Sequence, residues 1–376
     1  MLKFLFAMLM HSLCIVTRNK NRSRKMEEKK GFGDLNREVI ETGKCTLCGG
    51  CVATCSLLDY GYLSIDLTKE RPEMRESHIC PPDCGYCYSQ CPRVEEPELR
   101  EGLEEIYEVV SKDEELKNAC QDGGVVTTLL AYALADAVAE GCITVVDSGD
   151  WKPEVQVAMD KASLIKSAGS KYTPAATLTG IPVAIMNYGL WSVAMVGTPC
   201  QMAGYEKMLV VGRASHNAHN FSSTLRLRIG LFCQGVYSYE KLMKEFLERK
   251  CGINISEITK LDIRDNLFHV YAGEKELLSV AINEIEGYKR EGCKICKDFS
   301  GLFSDISVGN VGSPAGTSTV IVRTDFGKEV FEYALERGFI EAKPIDKSGA
   351  DLIHRLMKEK KEAGIAEKER RIKNQS

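Results

Sequence analysis

Excess positive charge is missing from this sequence: 49 Lys and Arg face 53 Asp and Glu, and a net charge of −4 leaves no basic footprint for a nucleic acid. Apolar runs of membrane-spanning length are missing too. The nearest candidate, Phe4 to Val16, is too short, its basic cluster follows it, and no small-residue cleavage site appears. Residues 1–35 therefore read as a disordered extension or an overlong start, with Met26 of "MEEKKGFGDL" as the alternative initiator. Tryptophan and histidine are scarce. Trp151 and Trp191 read as packing residues, and "VGRASHNAHNFSS" (211–223) reads as an exposed loop. His216 and His219 have metal-like spacing there, but no cysteine or carboxylate beside them to complete a site.

Cysteine is the opposite case. Sixteen of them, in a chain too large to be a disulfide-stapled secreted domain, point to metal in a reducing compartment. "KCTLCGGCVATC" sets Cys45, Cys48, Cys51 and Cys55 as C-x2-C-x2-C-x3-C, and "CPPDCGYCYSQCP" sets Cys80, Cys84, Cys87 and Cys91 as C-x3-C-x2-C-x3-C with Pro92 behind. In two-cluster ferredoxins the first three thiolates of such a run hold one iron–sulfur cube and the fourth reaches the other. The expected sets are Cys45, Cys48, Cys51 and Cys91 for one 4Fe-4S cluster, and Cys80, Cys84, Cys87 and Cys55 for the second. Zinc favours cysteine pairs separated by roughly a dozen or more residues, which quadruple runs do not offer. Gly49 and Gly50 let the backbone approach a cube and aim N–H groups at its sulfides. Ser56 stands where the ferredoxin pattern usually has proline, a change that removes no ligand.

Residues 36–98 lack regular apolar periodicity and are rich in Cys, Gly and Pro, as expected of a small unit folded around inorganic clusters. The linker "VEEPELREGLEE" leads to a body, 110–345, in which helical patterns alternate with β-branched runs. "VVTTLLAYALADAVAEG" predicts a helix stopped by Gly141 before the strand "CITVVD". Strands are expected at "VAMVG" (193–197), "LRLRIGLF" (225–232) and "TSTVIVRT" (317–324), and helices at "YEKLMKEFLERK", stopped by Gly252, and "GKEVFEYALERG". The fold class is a small ferredoxin-like α+β unit followed by an α/β domain. The tail, 346–376, reads as a charged helix with a solvated face.

Four further cysteines have distinctive settings. Cys200 in "VGTPCQ" and Cys233 in "GLFCQG" each follow a predicted strand, so both can meet at one sheet edge with Cys293 and Cys296 of "GCKICKDFSGLFSDISVGNVGSP". Spacing alone leaves this third site open between zinc, iron–sulfur and buried thiols with one redox pair. Cys14, Cys120, Cys142 and Cys251 read as small apolar residues.

Taken in order, "QDGGVVTTLLAYAL", "SKYTP", "VGTPCQ", "CKICKDFSGLFSDISVGNVGSP" and "TVIVRT" resemble the beta subunits of coenzyme F420 hydrogenases and dehydrogenases, over roughly residues 115–345. With a two-cluster unit in front, the layout is most similar to the subunit that oxidises reduced coenzyme F420 for a membrane electron-transport complex, and to the front half of deazaflavin-dependent sulfite reductases. The resemblance implies a bound FAD, coenzyme F420 as substrate, and a third 4Fe-4S cluster on Cys200, Cys233, Cys293 and Cys296. It implies flavin contacts at Gly123, Gly124, Val125 and Thr127 of the glycine turn, at Lys171 and Tyr172, and at Ser307, Gly309, Asn310 and Gly312. A Gly-Gly turn opening a helix does offer N–H groups and a positive dipole end to a phosphate, although it also serves as an ordinary turn. Relatives commonly carry an aspartate and a tryptophan where "SPAGTST" has Ala315 and Thr317, in a loop that can line the flavin or deazaflavin pocket. The implied activity is an F420-dependent oxidoreductase that takes hydride from the deazaflavin onto FAD and passes single electrons along the clusters to electron-accepting subunits or ferredoxin. It requires no catalytic acid or base. The rivals are a ferredoxin-dependent reductase running the same path in reverse and a non-enzymatic electron-transfer adaptor. The expected location is cytoplasmic, with membrane attachment only through a partner.

Overall fold

The computed structural model describes residues 29–76, 78–99, 102–214 and 224–374. The segment before Lys29, with Cys14 and Met26, and the pair His216 and His219 lie outside these residues. In the cysteine-rich front, β1 (Leu63–Asp66) and β2 (Arg71–Met74) form an antiparallel hairpin. Beside it lie the helix Gly50–Leu57 and the short helix Tyr86–Ser89. Phe32, Leu35, Val39, Val52 and Leu63 make a core there, and most of the cysteines of the two runs pack against it.

The body contributes β3 (Glu105–Ser111), β4 (Gly141–Asp147), β5 (Pro153–Ala158), β6 (Val193–Gly197) and β7 (Leu225–Leu231). After β8 (Lys260–Arg264), β9 (Leu267–Ala272) and β10 (Lys275–Ala281) come β11 (Ile306–Gly309), β12 (Ser318–Val322) and β13 (Ile340–Pro344). Eight of these strands form one sheet in the order β13-β3-β12-β11-β7-β6-β4-β5. The middle four, β11, β7, β6 and β4, run parallel, and antiparallel strands close both sides. Both faces are covered. Cys142 and Ala194 pack with Leu129 and Val330 on one side, while their neighbours Ile143, Val193 and Met195 pack with Ile181 and Met202 on the other. That alternation is the strand's period of two, and a parallel sheet buried on both faces is its usual setting.

β8, β9 and β10 form a separate antiparallel sheet inserted between β7 and β11. Its core of Phe268 and Val270 is completed by Leu242, Met243 and Phe246 from the helix Glu240–Lys250. That helix is wound on i→i+5 hydrogen bonds at its end, where the Cys251 N–H donates to the Phe246 carbonyl at 2.9 Å, and Gly252 reverses the chain at φ +69°.

Four expectations need correction. The helix Val125–Ala135 ends well before Gly141, because Ala137 turns left-handed at φ +54° and the Ala139 N–H closes onto the Ala133 carbonyl at 3.0 Å. Gly141 instead starts β4, where a Cβ would lie 2.6 Å from Leu190 Cδ1. The helix Pro199–Ala214 runs into the segment read as a loop, since proline at its first position starts it and the run "QMAGYEKML" behind it is mostly good helix formers. Trp191 does not pack: it is 68% exposed, whereas Trp151 donates Nε1–H to the Ile258 carbonyl at 2.8 Å. Finally, the tail forms the helix Lys347–Lys373, and one side of it is not solvated. Ile353, Lys360 and Gly364 are buried against the body. Among the described residues no helix is long and apolar enough to cross a membrane.

Candidate functional site

β6 and β7 are parallel neighbours, so Cys200, in the first turn of the helix Pro199–Ala214, and Cys233, two residues beyond β7, leave the sheet at the same edge. The turn around the helix Glu291–Lys294 brings Cys293 and Cys296 to them. Burial, with Cys296 and Cys293 beside it, holds the Cys200 thiol above its ordinary range. Burial pushes Cys233 up to about 12; Lys360 opposes the shift and Cys293, Cys200 and Cys296 add to it.

The front eight cysteines sort into two sets that cross between the runs. Burial raises Cys48, and the thiols facing it are Cys91, Cys200 and Cys45. Cys51 is raised by burial and then by Cys48, Cys45 and Cys91, with Cys87 beyond them. Burial pushes Cys87 up to about 12, with Cys80, Cys84 and Cys55 around it. Each set lines a hollow, Cys45, Cys48, Cys51 and Cys91 the larger one and Cys55, Cys80, Cys84 and Cys87 the smaller.

These donors fit an iron–sulfur cube. Thiols that raise one another's proton affinity become good ligands once the charge of a metal centre displaces their protons. Backbone donors are already aimed at the sulfurs, from Leu47 to Cys45 at 3.4 Å, from Tyr62 to Cys55 at 3.3 Å and from Val236 to Cys293 at 3.5 Å. Among the described residues no three Cys, His, Asp or Glu side chains converge tightly enough to hold a single metal ion. A cube makes a different demand, because each thiolate takes its own iron at a separate corner.

The three quartets stand in a connected row. Cys51 and Cys87 couple the second set to the first, and Cys48 and Cys200 couple the first to the third. Glycines permit the closeness: a Cβ on Gly204 would sit 3.2 Å from Cys48 Sγ, and one on Gly292 would sit 2.6 Å from the Cys45 carbonyl oxygen. Gly49 has the strictest requirement, with φ +91° and a Cβ that would meet the Ala176 carbonyl oxygen at 2.6 Å. Replacing Gly49 with Ala is expected to cost on the order of 2 kcal/mol or more, from left-handed strain plus overpacking. Gly50→Ala is the control, since its Cβ would make an ordinary contact at 3.5 Å with Leu178. Denaturant unfolding of the two variants checks the difference.

The implied flavin residues fall on this same sheet edge. β3 and β11 both run antiparallel to β12, so their last residues meet its first. A Cβ on Gly123 would lie 2.8 Å from Ser318 N, Gly309 pairs with Thr319, and Ser313 and Thr319 hydroxyls bond at 2.6 Å. Gly124 caps the helix Val125–Ala135 at φ +72°, Val125 is buried in the core, and Thr127 Oγ1 meets Cys120 Sγ at 3.1 Å. Gly312 is left-handed and lies against Ile353 of the tail helix, while Asn310 is half-buried. A Cβ on Gly309 would clash with the ring of Phe232, the residue before Cys233, which joins this edge to the third quartet.

Three of the implied contacts already have partners within the chain. Lys171 Nζ donates to the carbonyls of Ser167, Ala168 and Gly169 at 2.8, 2.8 and 3.2 Å, closing the helix Lys161–Ser167, and burial lowers its pKa to about 8. Tyr172 OH accepts from Ile263 N at 3.1 Å. Ser307 is fully buried, its hydroxyl donating to the Gly301 carbonyl at 3.2 Å and accepting from Arg323 Nε at 2.7 Å.

Sequence reasoning misses the cations around the inner sulfurs. Arg93 and Arg290 lie near Cys45, and Lys360 Nζ donates to the Cys233 carbonyl at 2.9 Å. For Arg93 there is a signal, a cation two residues past Cys91 in "CPRV". For Lys360 there is none, because it is one lysine among many in the tail.

The model of the beta-subunit N-terminal domain of coenzyme F420 hydrogenase/dehydrogenase matches residues 106–181, and that of the C-terminal domain matches 190–348. The chain belongs to the family of coenzyme F420 hydrogenase/dehydrogenase beta subunits. This is the family that the ordered motifs resemble. A relative named coenzyme F420 hydrogenase subunit beta, from Methanothermobacter thermautotrophicus, is 37% identical over 69% of this chain and 91% of its own length. One component of the F420H2 dehydrogenase of Methanosarcina mazei is 28% identical over 88% of this chain and 92% of its own length. Among solved structures, a chain of the F420-reducing [NiFe] hydrogenase complex of Methanosarcina barkeri is similar with a TM-score of 0.66 at 30% identity, over 72% of this chain and 93% of that one. The mixed α/β fold with one large sheet is thus shared with a family relative of known structure.

Proposed function

We propose that this chain is an iron–sulfur flavoprotein that oxidises reduced coenzyme F420 and hands the electrons on singly to an electron-accepting subunit or a ferredoxin. The observation that carries the reading is the row of three cysteine quartets, which begins beside the Gly309 turn and ends at the outer hollow rimmed by Tyr60, Tyr62 and Tyr86. FAD at the sheet edge and 4Fe-4S clusters in the three quartets would supply the conversion of a two-electron donor into single electrons and a path for them.

The chain's own contribution is positional. Twelve thiolates fix where each cluster sits, and close glycine contacts keep the quartets near one another. The Gly123–Gly124 turn, with Val125 and Thr127 behind it, presents the N-terminus of a helix to a flavin phosphate. Gly309, Asn310 and Gly312 approach from the β11 side, while Lys171, Tyr172 and Ser307 frame the edge through bonds to the chain itself. No acid or base is needed for the transfer. The units proposed are 36–98 for the two outer clusters, 110–345 for the flavin and third cluster, and 346–376 as a cover over the third quartet. The outer hollow is the exit to a partner, in the cytoplasm, and any membrane attachment goes through that partner.

The test is an anaerobic mix of FAD-loaded protein with reduced coenzyme F420, following the visible flavin band with NADH as control donor. Rapid bleaching by the deazaflavin alone is expected. Bleaching by reduced ferredoxin but by neither of these donors would overturn the oxidase reading in favour of a reductase.

A further inference from the structure

We infer that Arg93 is a shared counter-charge for the first and third quartets, placed to hold up the reduction potentials of both inner clusters together while leaving the outer cluster alone. The inference rests on the cluster assignment proposed above. Arg93 lines the first hollow with Cys45, Cys48, Cys51 and Cys91. From there its side chain crosses to the third quartet, where Nη2 donates to the carbonyl of Gly292 at 3.1 Å, the residue before Cys293. Its Nε is buried and has no hydrogen-bond partner among the described residues. A sealed donor without an acceptor is costly in a finished fold, and the sulfurs of a cluster are the acceptors missing from this place.

Its electrostatic neighbours agree. The largest are Cys296, Cys200 and Cys293 on one side, while Cys45 and Cys91 feel the same guanidinium on the other. Arg290 differs, because Nη1 is paired with Glu70 at 2.7 Å. The outer hollow is lined, beside its four cysteines, by Leu58, Tyr60, Tyr62, Leu63, Pro81 and Tyr86, and Arg93 does not reach it.

The physical consequence follows from Coulomb's law. Each reduction adds one negative charge to a cluster, so a fixed cation nearby favours the reduced form and raises the potential. A guanidinium keeps its charge at any working pH, so the effect is permanent. Because one cation serves two clusters, neutralising it shifts two potentials at once, a pattern that a cation at a single site does not produce.

The experiment is an electron-paramagnetic-resonance redox titration of the full chain, reconstituted anaerobically, as wild type, Arg93→Gln and Arg93→Lys, with iron determined chemically in each. In the Gln variant two of the three cluster signals are expected to titrate lower, by at least a tenfold change in the oxidised-to-reduced ratio, or about 59 mV for a one-electron couple. The third signal, identified as the one altered by Cys84→Ala, stays in place, and the Lys variant keeps both inner potentials near wild type. Three unmoved signals, or three that move together, overturn the proposal. So does a Gln variant that cannot hold its full iron, because Arg93 would then serve assembly of the sites. A wild-type chain that takes up no iron would instead refute the cluster assignment itself, so the two failures are told apart.

Discussion

Replacing Cys91 with alanine is expected to abolish the same cluster signal as replacing Cys45, and to leave untouched the signal lost when Cys80 is replaced. Cys91 stands in sequence with Cys80, Cys84 and Cys87, and a reading by proximity along the chain groups it there. The fold separates it. The helix Tyr86–Ser89 puts Cys87 near one end and Cys91 just past the other, and Cys91 faces Cys45 and Cys48 across the larger hollow. Cys55 makes the reciprocal crossing at the end of the helix Gly50–Leu57, where Cys84 faces it. Iron in the Cys91 variant should fall from about twelve to about eight per chain, the loss of one four-iron cluster of three. The companion replacement, Cys55→Ala, should remove the signal that depends on Cys80. The reading fails if the Cys91 and Cys80 variants deplete one and the same signal.

The crossed grouping is legible in the sequence because its cause is local. In the first run two short gaps bring three thiolates around one point, and the three-residue gap that follows spans a helical turn and carries Cys55 away; in the second run the turn Tyr86–Ser89 between Cys87 and Cys91 does the same for Cys91. The central strands are legible for a similar reason: "VAMVG" is a β-branched, apolar run between turn residues, and β6 spans it from Val193 to Gly197. What stays hidden depends on contacts between distant segments. β3 carries charges at Glu105 and Glu108, and joins the sheet because β12 and β13 pair with it on either side. Gly141 looks like a helix stop until Leu190 is seen to fill the space its side chain would need. The tail looks solvated along its whole length, since a buried lysine and its exposed neighbours have the same letter. Only the position of the Cys233 carbonyl distinguishes Lys360.

Replacing Arg228 with methionine is expected to cost about 3–5 kcal/mol of stability, the loss typical when one partner of a buried ion pair is removed. Arg228 lies on β7, and its Nε and Nη2 grip Asp305 in a fork at 3.1 and 2.8 Å, while Nη1 reaches Glu206 at 3.3 Å. Both carboxylates are nearly sealed, with side-chain exposures of 5% and 7%. Asp305 also accepts the backbone N–H of Arg228 at 2.8 Å and the hydroxyl of Thr324 at 3.0 Å. The cation therefore joins three elements: the helix Pro199–Ala214 that presents Cys200, the strand that leads to Cys233, and the turn into β11 that leads to Gly309. Without it, Asp305 and Glu206 lose the buried cation they share, and the elements holding the third quartet to the Gly309 edge lose their common anchor. Denaturant unfolding of the full chain measures the cost. Adding Asp305→Asn to the Arg228 variant should recover a large part of it, because the buried carboxylate that loses its fork, more than the lost bonds, sets the size of the effect. A single-variant loss under about 1 kcal/mol would place the trio with ordinary exposed pairs and remove it as the anchor of this edge.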